Sequence, residues 1–424
     1  MKTLNRSLLI PGTEGPNAGA MGRLMPATTS NGGFRNTNIL QRSDSDRATL
    51  YSIACDIVIR QNATMHTLLK AAAAVCLASA AILFLPSQAA AQASPDVEEA
   101  PVPTLNLTDM PLVPGLPSLT VRSGDHVAHI FPSIGNHAQI AQSVVDNGPV
   151  TYNGGPVMGP ASVYIYTIYW LPSTLKLQNG AATSMAPNYE SVLQALTLYY
   201  GGHSIAVNNT QYYSVSGATK TYLPSSGVRA GSYIDTHPYP ASGCSDVVTL
   251  TNCITDAQIR TEIGNVMAAA GWTGGLTKLF ILFTSSGEGS CFDSTGNSCA
   301  YSGKVSGYCG YHSYIAGTPP IIYANEPYGN PTYCQIPGAP SPNGNTATDT
   351  ATSIVTHEIT ESITDPELNA WFTFYGNEIG DLCAYDYGLA GWDSGNANQM
   401  WGGWNFELQM EYDNHTGQCV QVGP

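Results

Sequence analysis

The sequence predicts a mixed α/β domain of the α+β kind, stapled by disulfides. Three observations predict it. Strand-type and helix-type stretches alternate between residues 162 and 364. Eight of the ten cysteines fall in the C-terminal two thirds. A polar helix, ended by Asp365-Pro366, carries a His and two Glu residues at helical spacing, because the residue before proline avoids the α region.

The elements follow in order. Residues 162–170 (SVYIYTIYW) are β-branched and aromatic throughout and read as a strand. From Asn188 to Tyr200, Val192, Leu193, Leu196, Tyr199 and Tyr200 recur at helical spacing and stop at Gly201-Gly202. Residues 211–223 alternate Tyr, Ser and Thr as a strand or hairpin would. Thr255 or Asp256 caps a helix that runs through Ala270 and ends at Gly271. Residues 279–283 (LFILF) form a buried strand, and Pro320–Tyr323 a short one that is either interior or an edge open to an extended substrate. Thr348 or Asp349 then caps the polar helix, which runs to Thr364.

The N-terminal part reads differently. Met65 to Lys70 is mildly basic, residues 71–85 are an apolar run, and Ala91-Gln92-Ala93 is a small-residue cleavage pattern. This is the anatomy of an export signal over 65–93, and the run is short for a membrane span. Residues 1–64 read as an upstream extension, mis-annotated or disordered. Residues 94–145 open with six prolines before residue 120 and read as a leader or linker, so the globular domain is expected over 146–424. Cleavage after Ala93 leaves seven Lys/Arg against 26 Asp/Glu, a formal charge near −19. Such a surface argues against nucleic-acid partners and against anionic membranes once the signal is removed.

The cysteines of the exported part are Cys244, Cys253, Cys291, Cys299, Cys309, Cys334, Cys383 and Cys419. An even number in an exported chain reads as four disulfides, although eight cysteines allow 105 connectivities. Pairing each with its sequence neighbour gives 244–253, 291–299, 309–334 and 383–419. No C-x-x-C pair supports a zinc cluster.

The chemistry is concentrated in two segments. Residues 357–361 read His-Glu-Ile-Thr-Glu, so His357 and Glu361 share one helix face with Glu358 beside it. Two metal ligands next to a carboxylate base resemble the H-E-x-x-H helix of zinc peptidases. Asn377-Glu378-Ile379-Gly380-Asp381-Leu382-Cys383 follows, similar to the acidic segment after that helix in thermolysin-type, zincin-like enzymes. The resemblance implies that His357, Glu361 and Glu378 hold an ion, that Glu358 activates water and that Asp381 orients His357. Spacing leaves Glu378 and Asp381 interchangeable. One neutral His with two carboxylates cancels the charge of zinc, which weakens activation of bound water and admits manganese, iron or calcium. Metal binding is therefore more secure than hydrolysis. His312 (in CGYHSY), Tyr385 and Tyr375 are softer candidates, the first for substrate or metal, the tyrosines for an oxyanion.

Residues 154–158 (GGPVM), the 164–170 strand, 309–314, 357–366, Ala370-Trp371, 378–383 and the stretch from Phe406 to Cys419 resemble the EXORDIUM-like, phosphate-induced protein family; the export signal suggests a bacterial member. The resemblance implies a secreted, wall-associated protein and supplies no chemistry. Two readings follow. One is a secreted, extracellular or periplasmic metal-dependent peptidase or amidase acting on peptide or cell-wall substrate. The other is a non-catalytic, glycan-binding module with a structural ion. A glycosidase using two of the four acids is a weaker third reading.

Overall fold

A computed structural model describes residues 106–107, 119–143, 146–172, 189–245, 253–301, 306–388 and 397–424, all within the unit Val97–Pro424. The expected extension (1–64), export signal (65–93) and most of the leader before residue 119 lie outside the described residues.

The architecture is α+β, built on one seven-stranded mixed sheet. Its strands are β1 (Thr120–Ser123), β2 (His126–Pro132), β3 (Tyr164–Trp170), β4 (Val228–Asp235), β5 (Lys278–Phe283), β6 (Tyr308–Ile315) and β7 (Ile321–Glu326), in the order β1-β2-β6-β7-β5-β3-β4. The first four in that order pair antiparallel. The remaining pairings, β7–β5, β5–β3 and β3–β4, are parallel. Strand β5 is apolar almost throughout because both of its faces are covered, as in other parallel interiors.

Four longer helices flank the sheet: α1 (Ile134–Ser143), α2 (Tyr189–Tyr199), α3 (Asp256–Ala270) and α4 (Thr346–Thr364). On one face, Ile259, Ile263 and Val266 of α3 pack against Ile168, Trp170, Phe280 and Leu282. On the other, Leu193 and Leu196 of α2 and Val355, Ile359 and Ile363 of α4 pack against Ile165, Tyr169, Leu279, Ile281 and Ile322. Each such side chain contributes about 1.5–3 kcal/mol on full burial. Alternation along β3 assigns Ile165 and Tyr169 to one layer and Ile168 and Trp170 to the other. Helix α3 starts at Thr255 with a complete capping box, Gln258 being the reciprocal partner, and ends at the left-handed Gly271.

Two differences from the sequence reading, and the outcome of one alternative it left open, bear on the site. The sheet begins earlier than expected, since β1 and β2 lie inside the stretch read as a leader; the prolines stop at Pro117 and a buried strand follows. Helix α4 starts earlier too. Its cap is Asn345, whose side chain accepts the Thr348 N–H at 3.3 Å, while Asp349 accepts bonds from Ser341 and Asn343. Strand β7 lies inside the sheet between β6 and β5, so it offers no edge to a substrate. Residues 211–223 form the hairpin Tyr213–Ser216 with Thr219–Tyr222.

The disulfides are Cys244–Cys253, Cys291–Cys299, Cys309–Cys334 and Cys383–Cys419, the sequence-neighbour pairing. Among the described residues no helix is long and apolar enough to cross a membrane.

Candidate metal centre

Helix α4 lies across β6, β7 and β2, and every residue from Thr348 to Thr364 is buried. A helix so rich in Thr and Ser survives burial because most of its threonine hydroxyls bond to its own backbone. Thr356, Thr360 and Thr364 each donate to the carbonyl four residues back. His357, Glu358 and Glu361 are the ionisable groups of its middle turns, and each keeps a buried atom with no hydrogen-bond partner.

Two other elements meet them. The turn carrying Glu378 and Asp381 folds over α4 so closely that a Cβ on Gly380 would lie 2.4 Å from His357 Nδ1. There Glu361 Oε1 accepts the N–H groups of Gly380 and Asp381, both at 3.1 Å. Asp381 Oδ2 accepts the Glu378 N–H at 2.7 Å. From the sheet come His129 on β2 and His312 on β6, which are direct cross-strand partners and share one face. Their ring centroids are 5.7 Å apart.

The contacts within the cluster are short. His357 Nε2 lies 2.9 Å from Glu361 Oε2 and 3.9 Å from Asp381 Oδ1. His129 Nε2 bonds to Asp381 Oδ2 at 2.6 Å, and its Nδ1 lies 3.7 Å from Glu378 Oε1. His312 Nδ1 is 3.2 Å from Glu358 Oε2 and 3.7 Å from Glu361 Oε2, while its Nε2 is 3.6 Å from Glu378 Oε1. Asp381 retains 7% exposure; the other six are fully buried. A cleft of about 130 Å³, lined by Pro132, His137, Asp146 and Asn377, reaches Asp381 and no other member.

Burial governs the electrostatics. It pushes the carboxyls of Glu358, Glu361 and Glu378 far above the usual range, and neighbouring acids add to the shift. Burial also pulls His357 down to about 4 and His312 well below the ordinary imidazole value. Burial would likewise raise Asp381 and lower His129. Their mutual charge and hydrogen bond outweigh it, so Asp381 falls and His129 rises.

These residues fit a metal ion. His129 Nδ1, His312 Nε2, His357 Nε2, Glu358 Oε1, Glu361 Oε2, both Glu378 oxygens and Asp381 Oδ1 are buried with no hydrogen-bond partner. Buried polar atoms are ordinarily paired, so this many in one place points to a missing electrophile. The sets His129–Glu361–Asp381 and His312–Glu358–Glu361 each bring three ligand atoms within 4.8 Å of one another.

The structure thus gathers Glu358, Glu361, Glu378, Asp381, His357 and His312, all named from the sequence. The contacts of His357 within 4 Å are to Glu361 and Asp381 and do not include Glu378. Asp381 hydrogen-bonds to His129 and not to His357. Tyr385 stays out of the cluster: its hydroxyl donates to the Pro132 carbonyl at 2.8 Å. Tyr375 lies at the surface, 55% exposed. His129 is the member that sequence reasoning missed, because it sits in the presumed leader. The buried-strand pattern of residues 126–132 (HVAHIFP) was the signal that could have found it.

No family model matches the chain, and no solved structure matches it. Among curated proteins, Protein EXORDIUM-like 3 of Arabidopsis thaliana is 34% identical over 106 residues, covering 20% of this chain and 31% of the relative. Protein EXORDIUM-like 5 of the same plant is 31% identical over 106 residues, covering 20% of this chain and 29% of the relative. The match therefore spans less than a third of either relative's length, and over that part the chain is similar to EXORDIUM-like proteins.

Proposed function

We propose that this chain is an extracellular, EXORDIUM-like metalloprotein whose buried His/Glu/Asp cluster holds a divalent ion, with the ion serving the fold. The observation that carries the reading is the convergence of unpartnered, buried nitrogens and oxygens from β2, β6, α4 and the 378–381 turn. Four disulfides and partial similarity to EXORDIUM-like proteins support export to an oxidising compartment. Closure of the cluster favours a structural role, since structural metal sites are closed and catalytic ones keep a position open. Zinc suits the imidazoles best; manganese, iron or calcium fits the carboxylates.

The ion would cancel much of the negative charge that Glu358, Glu361, Glu378 and Asp381 carry together. Elemental analysis of the purified exported chain tests this. About one tightly held divalent ion per chain is expected, with lower thermal stability after chelation. A chain that is metal-free from a chelator-free preparation, and equally stable with chelator, would sink the reading.

A metal-dependent peptidase or amidase is the second reading, favoured by Glu358 beside the helix-borne ligands and by the cleft that ends on Asp381. A bound ion would supply Lewis acidity to such a reaction. Glu358, with Oε1 unpartnered, would take the proton from the attacking water. Glu358→Gln should then keep the metal and abolish hydrolysis of peptide or cell-wall amides. Turnover unchanged in that variant would eliminate Glu358 as the base.

A further inference from the structure

Buried acids and an imidazole converge at a second place, apart from the α4 cluster. Strand β4 ends at Asp235, beside Trp170 at the end of β3. These are the carboxyl ends of parallel strands, where open α/β sheets bind their ligands. Two residues further on comes His237. Its backbone N–H and its Nδ1 meet Asp235 Oδ1 at 3.1 and 2.6 Å, and the Trp170 indole donates to its carbonyl at 3.1 Å. From α3, packed against β4, comes Glu262. Asp235, His237 and Glu262 each offer one ligand atom, and the three atoms lie within 4.8 Å of one another. The α4 cluster is elsewhere: α3 and α4 cover opposite faces, and β7, β5 and β3 separate β4 from β6.

Asp235 is 1% exposed and Glu262 8%. Asp235 spends Oδ1 on His237, and Glu262 Oε2 accepts from the Asn265 amide at 3.0 Å. The second oxygen of each, Asp235 Oδ2 and Glu262 Oε1, is buried with no hydrogen-bond partner. An unpaired buried acceptor is costly, and two neighbouring carboxylates out of water repel each other as well. No basic side chain relieves them. Arg260, the one basic residue of α3, bonds to Asp256 at 2.6 Å, and among the described residues neither acid pairs with a Lys or Arg. What remains is a proton or a metal ion. Burial, and then the Asp235 carboxyl, push the Glu262 carboxyl up to about 7, so near neutral pH a proton fills the place only part of the time.

We propose that Asp235, His237 and Glu262 form a second divalent-cation site, of the zinc class, to which each acid gives an oxygen and His237 an imidazole nitrogen. An imidazole among the donors selects against calcium and magnesium, which prefer oxygen throughout. The His237 side chain is 74% exposed, so the site is open to water and its ion exchanges more readily than one in a closed site. An ion there pins the edge strand β4 to α3 and keeps a coordination position facing solvent.

Zinc titration of the full-length exported chain tests this, after a wash with a weak chelator and in mildly alkaline buffer. The wild type should take up one zinc more than Glu262→Gln or His237→Gln. The partners behind a metal ligand are alone worth 10- to 100-fold in affinity, so losing a ligand should weaken this zinc by at least about tenfold. His415→Gln, which removes an exposed imidazole elsewhere, should titrate as the wild type does. The count is a difference between chains, so it stands whether or not the α4 cluster holds an ion. Equal uptake by the wild type and Glu262→Gln overturns the proposal, since the acids then share a proton and any zinc lost with His237 sat on a surface imidazole. Equal uptake by His237→Gln overturns it too. Should Glu262→Gln misfold, Tm decides: added zinc should raise it in the wild type and not in His237→Gln, and no rise in the wild type refutes the site.

Discussion

Where the 378–381 turn meets α4, a single hydrogen atom separates fit from collision. A methyl on Gly380 would lie 2.4 Å from His357 Nδ1 and 2.9 Å from Glu361 Oε1. Gly380→Ala should therefore cost about 1–3 kcal/mol and weaken metal retention, read by denaturant midpoint and elemental analysis. An unchanged midpoint would mean the turn is not seated as described. Asp365, which ends α4, gives a prediction in pH. Its Oδ1 accepts the N–H groups of Asn369 and Ala370, at 2.6 and 2.7 Å, yet burial raises its carboxyl from 3.8 to about 7. Between those values the folded chain holds a proton that the unfolded chain releases, so this group's contribution falls as pH rises from 4 to 7 and is level above. In metal-free protein, Asp365→Asn should gain on the wild type across that window by up to about 4 kcal/mol. A stability difference flat in pH would refute the shift. At this scale the sequence was readable where residue type and spacing carry the message, as in residues 357–361 and 378–381. It was silent where only tertiary contact decides: Tyr385 looked available, but its hydroxyl donates its hydrogen bond to the Pro132 carbonyl.

Elements differ in how openly they announce themselves. Helix α3 has a cap, a reciprocal Gln258 and a glycine stop, and all three appear in the structure. Its one mid-helix glycine, Gly264, is exposed, and a Cβ added there would meet nothing within 4 Å. Gly264→Ala should stabilise the chain by about 0.5–1 kcal/mol, whereas Thr255→Ala should cost about 0.5–2 kcal/mol. Neither should alter the metal content of the α4 cluster, so a change there would mean α3 couples to that cluster in a way its packing does not suggest. Helix α4 hides its environment. Its composition suggests a solvated helix, yet it is buried from Thr348 to Thr364, most of its threonine hydroxyls bonding to its own backbone and Glu358 and Glu361 converging on the cluster. Strands β1 and β2 were obscured by the prolines before them, and with β2 went His129.

For the whole molecule, β3, α2, the 213–222 hairpin, α3, β5, β7, α4 and the disulfide pairing could be read along the chain, while strands β4 and β6 and the sheet's assembly could not. Neighbouring cysteines close small loops, which is why sequence proximity predicted their partners. Strand order follows register and crossover, and places the N-terminal β2 next to β6, some 180 residues later. The disulfides divide by what they fasten. Cys383–Cys419 ties the segment just after Asp381 to the C-terminal hairpin Glu411–Asp413 with Gln418–Val420, across 36 residues. Cys291–Cys299 closes a loop across 8 residues away from the ligands. Chain entropy alone assigns about 4 kcal/mol to the first and about 2.5 kcal/mol to the second. Their effects on the ion should diverge far more, because only the first holds the turn that presents Glu378 and Asp381. Replacing Cys383 and Cys419 by Ser should lower zinc affinity at a temperature where the chain remains folded. The Cys291/Cys299 double variant should bind as the wild type does. Equal losses of zinc in the two variants would show that the ion reports general stability and that the turn is held by something other than its disulfide.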